Sequence, residues 1–167
     1  MLTYRLVHTR RHVFQLQDGN DAIAEIALHA GDRAAVTTAE TRYDLEATEG
    51  IRRRVVKISE RNQTVARSSS LGRFAADLEN GTLYWHALPG RASAYCWMTG
   101  DGLIAVRYAP SSDGGFLVQV DHDAPLGSDR DSLLILGAYL IARTCIEIAS
   151  HVQRQWPASL AFAERTR

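Results

Sequence analysis

One stretch, Ser132–Ala149 (SLLILGAYLIARTCIEIA), constrains the fold most, because it is the only long apolar run in the chain. It is too long for an ordinary strand, and most of its residues are acceptable helix formers. Ser128 precedes it as a candidate N-cap, and Asp131 three residues later completes a pattern similar to a capping box. The stretch therefore predicts a helix over residues 129–151, followed by a tail over 157–167.

The first turns of this helix are apolar on every side. A helix of that kind lies either in a protein core or in a membrane. The uncharged run Ser132–Ala142 is shorter than the roughly 20 residues that span a bilayer. In a membrane, Arg143 and Glu147 would lie within the hydrocarbon, which is costly. We therefore expect a buried core helix and no transmembrane segment, with a membrane-spanning helix as the alternative.

Nearly everything before the helix reads as short strands joined by tight turns. The dipeptides Asp18-Gly19, Asn80-Gly81, Asp101-Gly102 and Asp113-Gly114 supply the positive φ that hairpin turns need. Within several strands apolar and polar residues alternate, as expected when one face meets a core and the other meets water. The predicted strands are Thr3–Thr9, His12–Gln17, Ala22–His29, Arg33–Thr38, Arg42–Ala47, Ile51–Ser59, Gln63–Ser69, Arg73–Leu78, Thr82–Leu88, Ser93–Met98, Leu103–Tyr108 and Phe116–Asp121.

These signals predict one mainly β domain over residues 1–167: a roughly twelve-stranded antiparallel β-barrel that encloses the hydrophobic C-terminal helix. The alternative is a lipocalin-like barrel with an external helix and an open ligand cavity. The all-round apolar character of the helix favours the enclosed arrangement. The side chains expected to fill the interior are Leu133, Leu136, Leu140, Ile141, Phe14, Trp85 and Phe116.

Composition limits the compartment and the partners. Lys+Arg and Asp+Glu balance at 19 each, so the net charge favours neither a nucleic acid partner nor an acidic membrane, and we expect no nucleic acid partner. Lys57 is the only lysine, and this preference for arginine suggests a GC-rich bacterial genome. Cys96 and Cys145 are too far apart in sequence for a local zinc motif, and we expect small buried apolar residues. The N-terminus lacks the apolar core of a signal peptide, which favours a cytoplasmic location.

The stretch from Ile51 to Arg73 is the most basic part of the chain, with Glu60 as its one acid. Arginine clusters suit phosphate groups, because the guanidinium group donates bidentate hydrogen bonds. The alternative is a solvated wall of the barrel whose charges protect strand edges. The predicted candidates for binding an anion or a lipid are Arg52, Arg53, Arg54, Lys57, Arg61 and Arg67.

An acidic loop precedes the helix, and its oxygen ligands suggest calcium as a cofactor. The weak metal candidates are Asp121, Asp123, Asp129 and Asp131. An EF-hand loop counted from Asp121 fails, because Gly127 falls at position seven and Ser132 at position twelve. Helix capping is the alternative role for this loop.

The histidines do not indicate catalysis. His8 and His12 are four residues apart, but they fall on two different predicted strands and not on one face of a helix, so we expect no zinc site from this spacing. Asp121-His122-Asp123 could supply part of a triad, but neither a nucleophile elbow nor an oxyanion-hole pattern accompanies it. We predict no catalytic residue, so enzymatic activity is disfavoured.

The order of strands and helix, together with three short segments, resembles the tubby C-terminal-like superfamily, which includes phospholipid scramblases and LURP-one-related proteins. The segment Asp121–Ala149, with its acidic loop, Pro-Leu, further acids and apolar helix, looks like the C-terminal stretch of scramblases. The hairpin Phe14-x-Leu16-x-Asp18-Gly19 and the strand Ile23-Ala24-Glu25-Ile26 are similar to LURP-one-related patterns.

The resemblance implies a twelve-stranded barrel around a hydrophobic helix, with a calcium-linked segment at the acidic loop. It also implies a non-enzymatic protein, peripheral at the membrane or in signalling, that binds anionic phospholipid or a protein partner. The alternative function is a small-molecule-binding β-barrel or a hydrolase. The two differ in whether the lumen is filled by the helix or open to a ligand.

Overall fold

The computed structural model describes the backbone of residues 1–30, 33–40, 42–50, 53–58, 63–68, 74–90, 93–124 and 126–155; side chains are described there except at 43, 46–50, 53–58, 63–68, 74 and 147–155. Within these ranges the chain forms twelve strands, one 3₁₀ turn and one α-helix. The strands are β1 (Leu2–Arg10), β2 (Val13–Asp18), β3 (Asp21–His29), β4 (Arg33–Thr38), β5 (Arg42–Gly50), β6 (Arg53–Ile58), β7 (Gln63–Ser68), β8 (Phe74–Leu78), β9 (Gly81–Ala87), β10 (Tyr95–Thr99), β11 (Ile104–Pro110) and β12 (Phe116–Val120).

Each strand pairs antiparallel with the next along the chain, and β1 also pairs with β12, from Leu2 opposite Val120 to Leu6 opposite Phe116. The strand order therefore returns to its start, and we call the twelve strands the ring of strands. The predicted mainly β, antiparallel fold with one C-terminal helix is confirmed. The strand β4 has its predicted bounds, whereas β5 runs on to Gly50.

Because successive strands alternate in direction, their connections gather at two ends of the ring of strands. One end carries the turns at 19–20, 79–80 and 100–103 and the loop 121–129 that leads into the helix. We call it the helix-entry end. The far end carries the turn at 11–12 and the connection 111–115, among others.

The helix α1 spans Arg130–Gln155 and follows a 3₁₀ turn, Gly127–Asp129. The predicted cap at Ser128 is wrong, because this residue lies inside the 3₁₀ turn. That turn begins after Leu126 without a side-chain capping bond, and its backbone closes through Asp129 N–H donating to Leu126 O at 3.0 Å. The Asp129 carboxylate instead accepts a hydrogen bond from the backbone N–H of Glu79 at 3.0 Å. The loop is thereby fixed to the β8–β9 turn.

The core consists of helix residues surrounded by inward-facing strand residues. Leu133, Leu136 and Ala138 of α1 are fully buried. Of the predicted interior side chains, Phe14, Leu133, Leu136, Leu140 and Ile141 are buried, whereas Trp85 and Phe116 are only partly buried. The space next to Trp85 is already occupied by Trp97 and Tyr108, whose ring centroids lie 5.0 and 5.3 Å from it. Phe116 begins β12 at the far end, at the margin of the core.

Tyr108 and Trp97 approach the helix where it carries its glycine. The Tyr108 hydroxyl donates to Leu133 O and Leu134 O, at 3.4 and 3.3 Å. A Cβ at Gly137 would clash with that hydroxyl and would lie 2.9 Å from Trp97 Nε1. In the described part of the structure, Trp97 Nε1 is buried without a hydrogen-bond partner. The glycine thus permits two large aromatic rings to pack directly on the helix backbone.

Tyr108→Phe is expected to change the stability of the protein at high pH. Burial raises the pKa of the Tyr108 hydroxyl well above its ordinary value, and the nearby Trp97 indole opposes that shift only in part. Above pH ~10 the unfolded chain loses this proton and the folded chain keeps it, so the free energy of unfolding falls as pH rises, by up to ~1.4 kcal/mol per pH unit. The variant should lack this part of the slope and lose about 1 kcal/mol at neutral pH.

Urea unfolding between about pH 8 and pH 11 measures that slope. Tyr84, whose side chain is 37% exposed, supplies the control, since Tyr84→Phe should leave the slope as in the wild type. Equal slopes in the wild type and Tyr108→Phe would contradict a buried, protonated hydroxyl at this position.

Candidate anion-binding surface

The predicted basic residues lie on two neighbouring strands or outside the described residues. Arg52 and Arg61 lie outside the described part of the chain. The remaining candidates are placed by their backbone only: Arg53, Arg54 and Lys57 on β6 and Arg67 on β7. The two strands pair directly, with Arg67 opposite Val55. Four of the six candidate positions therefore belong to one β-ribbon.

The register also brings acidic positions next to this ribbon. On the other side of β6, Glu49 of β5 lies opposite Arg54, and Glu46 lies opposite Lys57. Opposite charges directly across an antiparallel pair favour pairing of the strands. Arg53 lies opposite Gly50 instead. The two glutamate positions therefore offset part of the positive charge of the ribbon. Arg53 and Arg67 are the positions that have no acidic residue directly opposite them.

The acidic loop uses its carboxylates in local hydrogen bonds. Asp121 Oδ1 accepts from the backbone N–H of Asp123 at 3.0 Å, and Asp131 Oδ1 accepts from Arg130 Nε at 3.0 Å. Asp129 binds the β8–β9 turn, as described above. Among the residues that the structure describes, no three His, Cys, Asp or Glu side chains are grouped as ligands for one metal ion. Calcium binding by Asp121, Asp123, Asp129 and Asp131 stays a prediction.

A groove of about 540 Å³ lies beside this loop on the outer face of β11 and β12. Its polar lining was predicted only in part, with Asp121 and Asp123 as weak metal candidates and Asp121-His122-Asp123 as a segment considered for catalysis. Within the described residues, no hydrogen bond joins His122 to a serine, threonine or cysteine. The lining residues are Met1, Gly102, Leu103, Ile104, Arg107, Gln119, Asp121, His122 and Asp123.

Arg107 is the central cation of this groove. Its neighbours in register are Cys96 on β10 and Gln119 on β12. The alternation of side chains along β11 could have identified Arg107 as an outward-facing residue, since Val106 and Tyr108 on either side of it point into the core. Burial raises the pKa of the Cys96 thiol, and the charge of Arg107 opposes that shift only in part. The thiol is therefore protonated at neutral pH, which makes it a poor nucleophile.

Comparisons with protein-family models, curated proteins and solved structures gave no match to this chain. Among the described residues, no helix has the length and apolar character that a bilayer crossing requires.

Proposed function

We propose that this protein is a non-enzymatic membrane-surface or signalling protein that binds anionic phospholipid through the basic stretch 51–73. In this proposal the ring of strands is a barrel that carries α1 in its interior, as in the tubby-like proteins that the sequence resembles. A protein partner with an acidic surface is the second possible ligand of the same stretch.

The observation that most directly supports this proposal is the concentration of positive charge on adjacent strands. Seven basic residues and one acid lie between Ile51 and Arg73, and β6 pairs directly with β7. Each Lys or Arg near an anionic bilayer contributes about 1 kcal/mol of attraction, so three to four such residues are enough for measurable binding. Part of the charge is offset by the glutamate positions on β5, which makes the interaction moderate and sensitive to salt.

The packing of α1 favours this proposal over a ligand held in the lumen. Leu133, Leu134 and Leu136 of the helix are fully buried against inward-facing strand residues. Ligand cavities of drug-sized molecules are typically about 300–1,000 Å³. The groove at Arg107 has that volume, but it lies on the outer face of the strands. A small molecule would therefore bind on the outer surface of the strands and not in their interior.

Co-sedimentation with vesicles tests the lipid proposal. Phosphatidylcholine vesicles with and without phosphatidylserine or a phosphoinositide are compared at low salt and at about 0.15 M salt, where the Debye length is ~8 Å. The wild type should bind only the anionic vesicles, and more weakly as salt increases. The triple variant Arg52→Ala, Arg53→Ala, Arg54→Ala should bind at least about tenfold more weakly, because it lacks three charges worth ~1 kcal/mol each.

The matched control removes the same charge elsewhere, with Arg42→Ala, Arg107→Ala and Arg130→Ala, and should bind like the wild type. A wild type that ignores anionic vesicles at low salt contradicts the lipid proposal and favours a protein partner. Equal binding by the triple variant contradicts the assignment to residues 52–54. A calcium titration belongs in the same experiment, and calcium dependence that disappears in Asp121→Asn, Asp123→Asn would move the site to the acidic loop.

A further inference from the structure

Charged residues are divided unevenly between the two ends of the ring of strands. At the helix-entry end, the described carboxylates outnumber the described guanidinium groups, which belong to Arg42, Arg130 and, in the groove beside the loop, Arg107. All but one of these carboxylates belong to exposed residues, and Asp129 is partly exposed. They belong to Asp18, Asp21, Glu40, Glu79, Asp101, Asp121, Asp123, Asp129 and Asp131.

The far end has the opposite charge. Arg10, Arg11 and Arg33 are exposed there, at the β1–β2 turn and at the start of β4. The described carboxylate at this end, that of Asp113, forms an ion pair with Arg5. The strand order places Arg53, which starts β6, at the same end, together with Glu49 of β5, which lies opposite Arg54. Among the described side chains, strand direction thus produces an acidic end and a basic end.

The tip of the β1–β2 hairpin has an unusual backbone. His12 has a φ of 62°, the left-handed region that Asn or Gly usually occupies in such turns. Arg11 Nε lies 3.2 Å from His12 Nε2, so the two side chains are held together at the tip. Few non-glycine residues adopt this region, and His is among the types that adopt it more often. Here the turn places a basic pair at the outermost point of the far end.

The ion pair of Arg10 is weak enough to be exchanged for another anion. Its guanidinium lies 3.6 Å from the Glu25 carboxylate, and the Arg10 side chain is 72% exposed. Exposed pairs of this kind contribute little to stability. A phosphate group can form a bidentate interaction with arginine that this single contact lacks.

We propose that the far end, with Arg10 and Arg11 at its tip, docks end-on against an anionic bilayer. This proposal rests on the proposed function and specifies the orientation of the protein on the membrane. Strands such as β1 and β3 span roughly 30 Å at about 3.3 Å per residue, which is several Debye lengths. The acidic end therefore feels little repulsion in this orientation, whereas the reverse orientation would press its carboxylates against the negative surface.

A planar bilayer suits this charge distribution better than a nucleic acid does. A bilayer meets one end of the protein only, and the opposite charge of the other end then selects that orientation. A long flexible polyanion could also pass the acidic end, where it would be repelled. We therefore assign the far end to a membrane surface.

The first test is co-sedimentation of Arg10→Ala, Arg11→Ala with phosphatidylcholine vesicles that contain about a third phosphatidylserine. The doublet should weaken binding about tenfold or more, since both charges lie at the contact. Arg42→Ala, Arg130→Ala removes the same charge from the helix-entry end and should bind as tightly as the wild type or tighter. Thermal melting verifies that both doublets are folded.

The second test measures orientation. A fluorophore is attached to Ser112→Cys at the far end or to Asp101→Cys at the helix-entry end, both exposed positions. Wild-type protein treated with the same fluorophore gives the background signal from labelling of the buried Cys96 and the half-buried Cys145. Vesicles with nitroxide-labelled headgroups should quench the label at position 112 and spare the label at position 101.

The outcomes separate the two proposals. If the wild type ignores the anionic vesicles, the lipid function and the orientation both fail. If the wild type binds but the Arg10, Arg11 doublet binds equally well and the label at position 101 is quenched, the orientation is overturned while the lipid function stands. If the wild type ignores vesicles and binds a short oligonucleotide in a way that requires Arg10 and Arg11, the basic end serves nucleic acid and the membrane assignment is overturned.

Discussion

Gly137→Ala should destabilise the protein by about 3 kcal/mol or more, near the upper range for overpacking of a core. Alanine is the better helix former by about 1 kcal/mol, so an isolated helix would gain stability from this change. In this fold the new methyl group would occupy the space of the Tyr108 hydroxyl and would lie 2.9 Å from Trp97 Nε1. Both rings are fully buried, so neither can move without disturbing the core.

Chemical denaturation followed by circular dichroism measures this loss. Ser132→Ala introduces the same residue into the same helix at a partly exposed position and should change the free energy of unfolding by less than about 0.5 kcal/mol. A Gly137→Ala variant as stable as the wild type would contradict the close approach of Tyr108 and Trp97 to the helix.

Leu136→Asp is expected to abolish folding altogether. Leu136 is 0% exposed, at the centre of the apolar helix segment. An aspartate there must be buried either as an unpaired charge or as a protonated acid without a partner, and each state costs several kcal/mol beyond the lost apolar contacts. Because whole domains are stable by only about 5–15 kcal/mol, one such group is enough to unfold a small protein.

Soluble expression and the thermal transition report the result. Ser132→Asp is the matched control, since it places the same charge one turn earlier on the same helix. There the side chain is partly exposed, and the positive end of the helix dipole favours a carboxylate. A soluble Leu136→Asp variant with a native melting transition would contradict the burial of α1, whereas loss of folding in both variants would show only that the helix tolerates no new charge.

The local elements of this fold could be predicted from the sequence, because their causes are local. Strands such as β4 follow from short apolar stretches bounded by turn residues. The Asp-Gly turns carry positive φ at Gly19 and Gly102, 58° and 96°, which glycine adopts without a steric penalty. The helix was predicted because a stretch that is apolar on every side has to be buried.

The contacts that hold the helix in place could not be predicted in this way. Tyr108 reaches the backbone of Leu133 and Leu134, 25 and 26 residues away, and the fit depends on the absence of a side chain at Gly137. In the sequence, Trp97 and Tyr108 are two aromatic residues among several. The prediction placed Trp85 in the core instead, because alternation identifies the inward face of a strand but not the space left beside the helix.

The candidate site also has features that are visible in the sequence and features that depend on the fold. The basic stretch 51–73 and the acidic loop are visible as linear charge patterns, because charge density depends only on which residues are present. The glutamate positions opposite Arg54 and Lys57 depend on strand register. Likewise, Arg10 and Arg33 come to share one end through the order and direction of strands that are separated in sequence. The elements and the charges they carry thus follow from local sequence, whereas the fold brings particular charges close together, and electrostatic interactions depend on distance in space.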